Sequence, residues 1–402
     1  MIRRVLGLVF LLFALSACGS SALLDQVTLD PGAISPHAGS ANAATMVHYT
    51  VTRSATVSIY LVDEQGHTHY FRKDQPRAAG SFDALFSGAV DDRVLPDGKY
   101  QFVVEAKDTA SPQSEKVVKT LTITGADSTP PELRNFTVFP STFTPNQDGI
   151  NDRVTIRYFL TKPAKVDVYL TDGKNRYEVA EKKTTLAIKN DMSLPGAHEY
   201  DYDGGIDLGA EPPPDGKYTV VADAVDAVGN QVREEKPLTI EQGGVPRATI
   251  MNSGVDWSPH LVPLGSTLTF TVSVTNIGPV PVRTSGPEPG TVYRTDENFN
   301  SKKYYEQPGV WRVGLDMDGN SSGRPYPYRW QVGSSAELTH VKADNGQDLL
   351  YLMPGQRVTV TGTLQIVDKP PRINEYYWVG LIQEDVRIAE DHVQPLLVTV
   401  EY

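Results

Sequence analysis

The stretch Phe143-Thr-Pro-Asn-Gln-Asp-Gly-Ile-Asn-Asp152 gathers more potential ligand chemistry than any other part of the chain. Asn146, Asp148, Asn151 and Asp152 set hard oxygens around Gly149, a donor type that suits Ca2+. With Asn146 and Asp148 placed at the third and fifth positions of an EF-hand loop, the first and twelfth positions fall on Thr144 and Thr155, so the first ligand and the bidentate Glu are missing. The competing reading is an Asx-rich turn whose side chains accept backbone amides ahead of a strand at Arg153. Both stand as expectations, calcium on these four residues or amide capping by them. A second acidic turn, Asp316-Met-Asp318-Gly-Asn320, offers two carboxylates and reads as a turn between strands. His67-Thr-His69 puts two imidazoles on one strand face without a third ligand, which reads as a surface pair.

All four tryptophans, Trp257, Trp311, Trp330 and Trp378, lie beyond residue 247. Aromatic faces bind sugar rings, so Trp257, Trp311 and Trp330, with Tyr326 and Tyr328, are candidate ligand contacts. The alternative is that they build a core, the favoured role for Trp378, which is followed by Val379-Gly-Leu-Ile382. No G-x-S-x-G elbow, H-E-x-x-H helix or P-loop occurs, and nothing singles out a carboxylate pair. The expectation is a protein that is not an enzyme, with hydrolase the least supported class.

These residues sit in a chain of 402 residues with 37 basic and 49 acidic side chains, a net charge of -12. That balance gives no electrostatic basis for holding a phosphate backbone, so no nucleic-acid partner is expected. The single cysteine, Cys18, allows no internal disulfide and no Cys-rich metal site. At about 100 to 150 residues per domain, the length suggests three domains. The 33 Gly, 29 Pro and 19 Tyr favour strands joined by turns.

Period-two alternation confirms that preference at Val57-Ser-Ile-Tyr-Leu61, Val154-Thr-Ile-Arg-Tyr158 and Leu268-Thr-Phe-Thr-Val-Ser-Val274. The first two-thirds is also repeated. Val57-Ser-Ile-Tyr-Leu-Val-Asp63 matches Val166-Asp-Val-Tyr-Leu-Thr-Asp172; Pro96-Asp-Gly-Lys-Tyr100 and the strand after it match Pro214-Asp-Gly-Lys-Tyr218; Leu121-Thr-Ile123 matches Leu238-Thr-Ile240. Three blocks in the same order define two copies of one sandwich-sized unit. In each copy Pro-Asp-Gly is expected to make a turn closed by a positive-φ glycine, with Lys-Tyr starting a strand. Ala126-Asp-Ser-Thr-Pro-Pro131 and Gln242-Gly-Gly-Val-Pro246 are the linkers, their prolines restricting the angles between neighbours. Beyond them a Gly/Pro/Asp-rich stretch from Arg283 to Pro327 reads as one long connection, with strands resuming at Tyr328. Its aromatic content, including Tyr293, Phe299 and Trp311, is foreign to a disordered linker.

Four resemblances add to this. Arg3 and Arg4, the apolar run Val5 to Leu15 and then Leu15-Ser-Ala-Cys18 resemble a bacterial lipoprotein signal peptide. The resemblance implies that Cys18 carries a diacylglyceryl thioether and becomes the mature N-terminus, acyl chains holding the protein on a membrane. Gly19 after the cysteine is compatible with the outer membrane of a double-membraned cell. The block from Val168 to Asn230, with its copy upstream, resembles the Ig-like domain of the flagellar hook-assembly scaffold family, which implies a β-sandwich spacer or docking module without catalytic residues. Gly265 to Gly278 resembles the opening strand and turn of bacterial cell-adhesion-related Ig-like domains. The Phe143 to Asp152 motif is similar to the opening signature of Ig-like modules in gliding-motility and sorting families, although there the module ends the chain.

The expected organisation is a signal peptide over 1–17, a tether over 18–26, Ig-like domains over 27–125 and 130–242, and a larger Ig-like domain over 247–402. The expected fold class is all-β, three tandem immunoglobulin-like sandwiches. The expected function is a structural or adhesive envelope lipoprotein, extracytoplasmic on the cell or outer membrane, whose partners are the membrane through Cys18 and other envelope or surface proteins or a glycan. The alternative is capture of a carbohydrate or other solute by aromatics of the third domain.

Overall fold

The computed structural model describes residues 22–179, 193–343 and 345–401; Cys18 and the signal segment lie outside the described residues. The described chain is all-β, strands joined by turns and two short 3-10 segments, and its strands pair into immunoglobulin-like sandwiches. No helix among the described residues is long and apolar enough to cross a membrane.

The two repeats fold alike, strand for strand. In the first unit a three-stranded sheet orders Leu24–Asp30, Thr45–Val51 and Gly80–Phe86, and faces a five-stranded sheet that orders Ala33–Ile34, Ser114–Ile123, Gly98–Asp108, Ala55–Val62 and Thr68–Arg77. The second unit reproduces this order with Leu133–Phe139, Val154–Leu160 and Gly196–Tyr202 against Thr142–Phe143, Gln231–Ile240, Gly216–Val225, Lys165–Thr171 and Arg176–Glu178. The alternation read in the sequence becomes one face turned to the core: Val57, Ile59 and Leu61 in one unit, Val154, Ile156 and Tyr158 in the other. In both, the entering strand crosses between sheets and runs parallel to the last strand, Ala33–Ile34 beside Thr122 and Ile123, Thr142–Phe143 beside Thr239 and Ile240. The chain therefore enters each unit at one end and leaves at the other.

Two local expectations need correction. The tether does not reach residue 26: Leu23 and Leu24 are buried in the first core, and Leu24 opens a strand, because these two apolar side chains find a core to fill. Nor do both Pro-Asp-Gly glycines take a positive φ: Gly216 does, at +158, and Gly98 does not, and each is the first residue of an extended strand. The work is done by their neighbours. Asp97 accepts the amides of Gly125 and Ala126 at 2.8 and 2.7 Å, and Asp215 those of Gln242 and Gly243 at 2.9 Å each. Tyr100 donates to the carbonyl of Pro96 at 2.8 Å and Tyr218 to that of Pro214 at 2.6 Å, a tyrosine corner in each copy.

The third unit is larger. A four-stranded sheet orders Ala248–Ser258, Thr267–Asn276, Arg357–Gln365 and Val292–Arg294. Opposite it runs an eight-stranded sheet built on Asn374–Gln383 and Trp311–Met317. The stretch from Arg283 to Pro327 is not one connection: it contributes Val282–Thr284, Val292–Arg294 and the central strand Trp311–Met317. That strand is buried on both faces, which hides the alternation that marks a half-exposed strand. Trp311, Val313 and Leu315 point into the sandwich core, whereas Arg312, Gly314 and Asp316 point outward beneath the rest of the stretch.

Candidate functional site

Within the Asn/Asp motif the carboxylates are occupied by their own loop. Asp152 accepts the amides of Asn146, Asp148 and Gly149 at 3.3, 3.2 and 2.5 Å; Asp148 accepts that of Ile150 at 2.9 Å, and Asn146 that of Asp148 at 3.1 Å. Asn151 is exposed, with φ +53, and its carbonyl takes the amide of Thr144 at 2.9 Å. The geometry is that of amide capping. Among the described residues no group of three or more His, Cys, Asp or Glu is arranged to hold a metal ion.

The loop's outer side packs against the third unit. The Tyr351 hydroxyl donates to Asp148 Oδ2 at 2.7 Å, and Gln383 Nε2 to the carbonyl of Gln147 at 2.9 Å. Backbones nearly touch: a Cβ on Gly149 would lie 2.3 Å from the Pro308 carbonyl oxygen, and one on Gly309 would lie 2.4 Å from that of Gln147. Burial raises the Asp148 carboxyl above its ordinary value despite the bond from Tyr351. Asp152 is pushed up to about 6, first by burial and then by the neighbouring Asp148, which together outweigh its three amide donors.

The junction between the first two units is also a polar clamp. Asn230, wholly buried, accepts the amide of Val94 and donates to the carbonyl of Asp127 and to Asp226 Oδ2, each at 2.8 Å. Lys162 bridges Asp127 and Asp226 at 2.7 and 2.8 Å, and the Gln231 amide reaches the Asp92 carbonyl at 2.9 Å. The bonds of Asn230 to Val94 and Asp226 join groups that water has largely left, where a hydrogen bond is costly to break.

The aromatic candidates divide. Trp311, Trp330 and Tyr326 are corrected from ligand contacts to buried residues, while Tyr328 is as deeply buried but forms part of a cavity wall; none of the four is more than 2% exposed. Trp330 meets Phe270 and Tyr293 edge to face, at ring separations of 5.2 and 5.0 Å, and its indole N–H donates to the Thr291 carbonyl at 2.9 Å. Tyr326 lies over Gly314 and Gly380, where a Cβ would come within 2.7 and 2.3 Å of its atoms. Trp257 is half-buried, packs on Phe270 and donates to the Gln394 carbonyl at 3.1 Å. Trp378 stacks on His392 outside the main core, with Tyr326 and Ile382. These rings fill space because the third unit is thick and its covering stretch needs large side chains beneath it.

Arginines hold that cover in place. Arg312, Arg329 and Glu384 are buried together; Glu384 pairs with Arg312 at 3.0 Å and with Arg329 at 2.8 Å. Their remaining N–H groups go to the carbonyls of Ser285, Tyr305, Tyr326 and Pro325, and Arg329 lies 4.3 Å above the Phe299 ring. Burial pushes the Glu384 carboxyl up and the Arg312 guanidinium down, each opposed by its partner. Sequence reading missed this cluster, together with Tyr351, Lys162 and Asn230. Only Asn230 carried a signal, as the last residue of the Val168 to Asn230 block.

In the Asp316 turn, Asp316 accepts the amide of Tyr326 and the side-chain amide of Asn320, both at 2.8 Å. His67 and His69 share Asp63 Oδ2, each at 3.1 Å. Burial pushes Asp63 up, but bonds from His69 and His67 prevail and hold it down at about 2.

These features define an all-β protein of linked immunoglobulin-like sandwiches. No family model and no curated protein matches the sequence. Solved structures it resembles include native alpha-2-macroglobulin of E. coli, at 13% identity and a TM-score of 0.23 over 94% of this chain and 23% of that one. A DUF4785 family protein of Legionella pneumophila shows 11% identity and a TM-score of 0.22 over 88% and 81% of the two chains. The N-terminal four Ig domains of Dscam1 show 12% and 0.17 over 83% and 70%. The chain spans about a quarter of the alpha-2-macroglobulin chain.

Proposed function

We propose that this is a non-catalytic, lipid-anchored protein of the cell envelope, in which the first two units carry the third away from the membrane to contact a protein or surface. The observation that carries this reading is the construction of the junctions. Asn230 with Val94 at one, and Asp148 with Tyr351 at the other, tie neighbours by buried side-chain bonds where a flexible linker would leave them independent. The likeness of the first two units to hook-scaffold Ig-like domains supports a spacer role, and the lipobox at Cys18 supports the anchor. Labelled palmitate fed to cells making the protein tests it: label is expected on the native chain and absent from Cys18→Ala, which leaves the membrane fraction. Unlabelled native protein, or a Cys18→Ala chain that stays membrane-bound, overturns the anchor.

Capture of a solute by the third unit is a second reading. The buried tryptophans no longer support it, but a cavity of about 290 Å³ at that unit's far end does.

A further inference from the structure

The strands Trp311–Met317 and Asn374–Gln383 pair antiparallel, with Trp311 opposite Gln383 at one end and Met317 opposite Tyr377 at the other. Gln383 touches the second unit. Six residues along, at about 3.4 Å per residue, the opposite end lies some ~20 Å away. The cavity opens there, out of reach of the second unit, at about the lower size limit for small-ligand sites.

Its wall holds Glu375, only 3% exposed. Oε1 of Glu375 is sealed from solvent and meets no donor. The carboxyl group lies hard against Gly319, where a Cβ would sit 2.6 Å from Oε1 and 2.7 Å from Oε2, so any side chain at 319 would displace it. Burial raises the Glu375 carboxyl and nearby Asp318 raises it further, opposed by the Arg372 backbone amide and charge. The other acidic groups of the lining differ from it: Glu297 is paired with Lys302 at 2.8 Å, and Asp368 is exposed to water. Tyr328, Tyr377, Met317 and Ile366 supply apolar wall and ring surface.

A buried carboxylate with one oxygen unpaired and only the Arg372 amide and charge to offset it is expensive, and the missing element is a positive charge that brings its own N–H groups. We propose that this cavity binds a small organic compound through a primary ammonium group, received by Glu375, with its carbon skeleton against Met317, Ile366 and the two tyrosines. An ammonium cancels the charge, brings N–H donors to the carboxylate and gains from nearby ring faces, whereas a neutral polyol supplies donors alone.

The inference rests on the third unit being the part that recognises, but not on the anchor. Failure to bind would leave anchoring and spacing intact, and loss of palmitate label would leave the cavity intact. The test is calorimetric titration of the full chain in detergent with glucosamine, putrescine, glucose and CaCl2 in turn. Saturable binding of glucosamine or putrescine is expected, weakened at least tenfold in Glu375→Gln and in Gly319→Ala, with glucose at least tenfold weaker than glucosamine. Each variant's melting temperature reports that it is folded, and Glu375→Gln is expected to melt no lower than the native protein. No amine binding, equal binding by folded Glu375→Gln, glucose binding as well as glucosamine, or binding of Ca2+ alone overturns the proposal.

Discussion

The junction between the second and third units can be broken by one methyl group. Gly149 has φ +84, and a Cβ there would lie 2.3 Å from the Pro308 carbonyl oxygen, about 1 Å inside normal contact. That obstacle is backbone, so relief requires the units to separate. Gly149→Ala then weakens the Tyr351 to Asp148 and Gln383 to Gln147 bonds. At about 1 kcal/mol per bond, or 1 to 3 where a buried group is left unpaired, the junction loses about 2 to 6 kcal/mol, a factor of about 30 or more in the ratio of closed to open. The left-handed φ adds about 1 to 2 kcal/mol for any non-glycine residue. Gly173→Ala isolates that second effect, since Gly173 has φ +88 and nothing within 4 Å of a Cβ. The lone cysteine makes the assay simple: with Cys18 replaced, spin labels at Lys236 and Thr359, exposed positions in the second and third units, report one distance. A narrow distribution in the parent and in Gly173→Ala, and a broad one in Gly149→Ala, is expected. An unbroadened distribution in Gly149→Ala would refute the claim that this contact fixes the units.

Three further outcomes follow from the same geometry. Glu384→Ala leaves Arg312 and Arg329 buried without their shared counter-ion, and is expected to cost the third unit about 3 to 5 kcal/mol in urea unfolding, with the other two units unchanged. Tyr100→Phe and Tyr218→Phe each remove a corner bond and should destabilise their own unit by about 1 kcal/mol, read by calorimetry. Asp152, at about 6 when folded and ordinary when unfolded, keeps its proton longer in the folded chain, so its contribution is full below about pH 4 and lost as pH rises through 6. The second unit should therefore melt higher at pH 5 than at pH 7, by an amount that Asp152→Asn removes; a native midpoint that rises over that interval counts against the burial argument.

What could be read from the sequence was the part governed by local rules. Alternation exposed the half-buried strands of the first two units, and the repeated Pro-Asp-Gly-Lys-Tyr marked the start of the same strand twice. Trp311–Met317 escaped because a strand covered on both faces has no alternation to show, and its outward residues, Arg312 and Asp316, resemble surface residues in sequence alone. The role of Asp148 was invisible for another reason: its partner Tyr351 lies 203 residues away, and only the folded chain brings them together. Amide capping in the Asn/Asp loop was one of two readings, and the difference between them lay in where the lone pairs point, which spacing does not fix.

The parallel pairing at the entry of each repeat has a mechanical meaning. If a chain fixed at its N-terminus is pulled from beyond the second unit, tension runs along Leu24–Asp30 and Ala33–Ile34 on one side and Ser114–Ile123 on the other, so the parallel contact is sheared lengthwise. The Thr122 to Gly32 and Thr124 to Ile34 bonds, both 3.1 Å, then bear load together, as do the Thr239 to Ser141 and Glu241 to Phe143 bonds in the second unit. Bonds loaded side by side must break almost at once, whereas a strand peeled from an edge gives them up singly. Resistance to such a pull is a matter of unfolding rate, and this arrangement slows that rate without any gain in equilibrium stability.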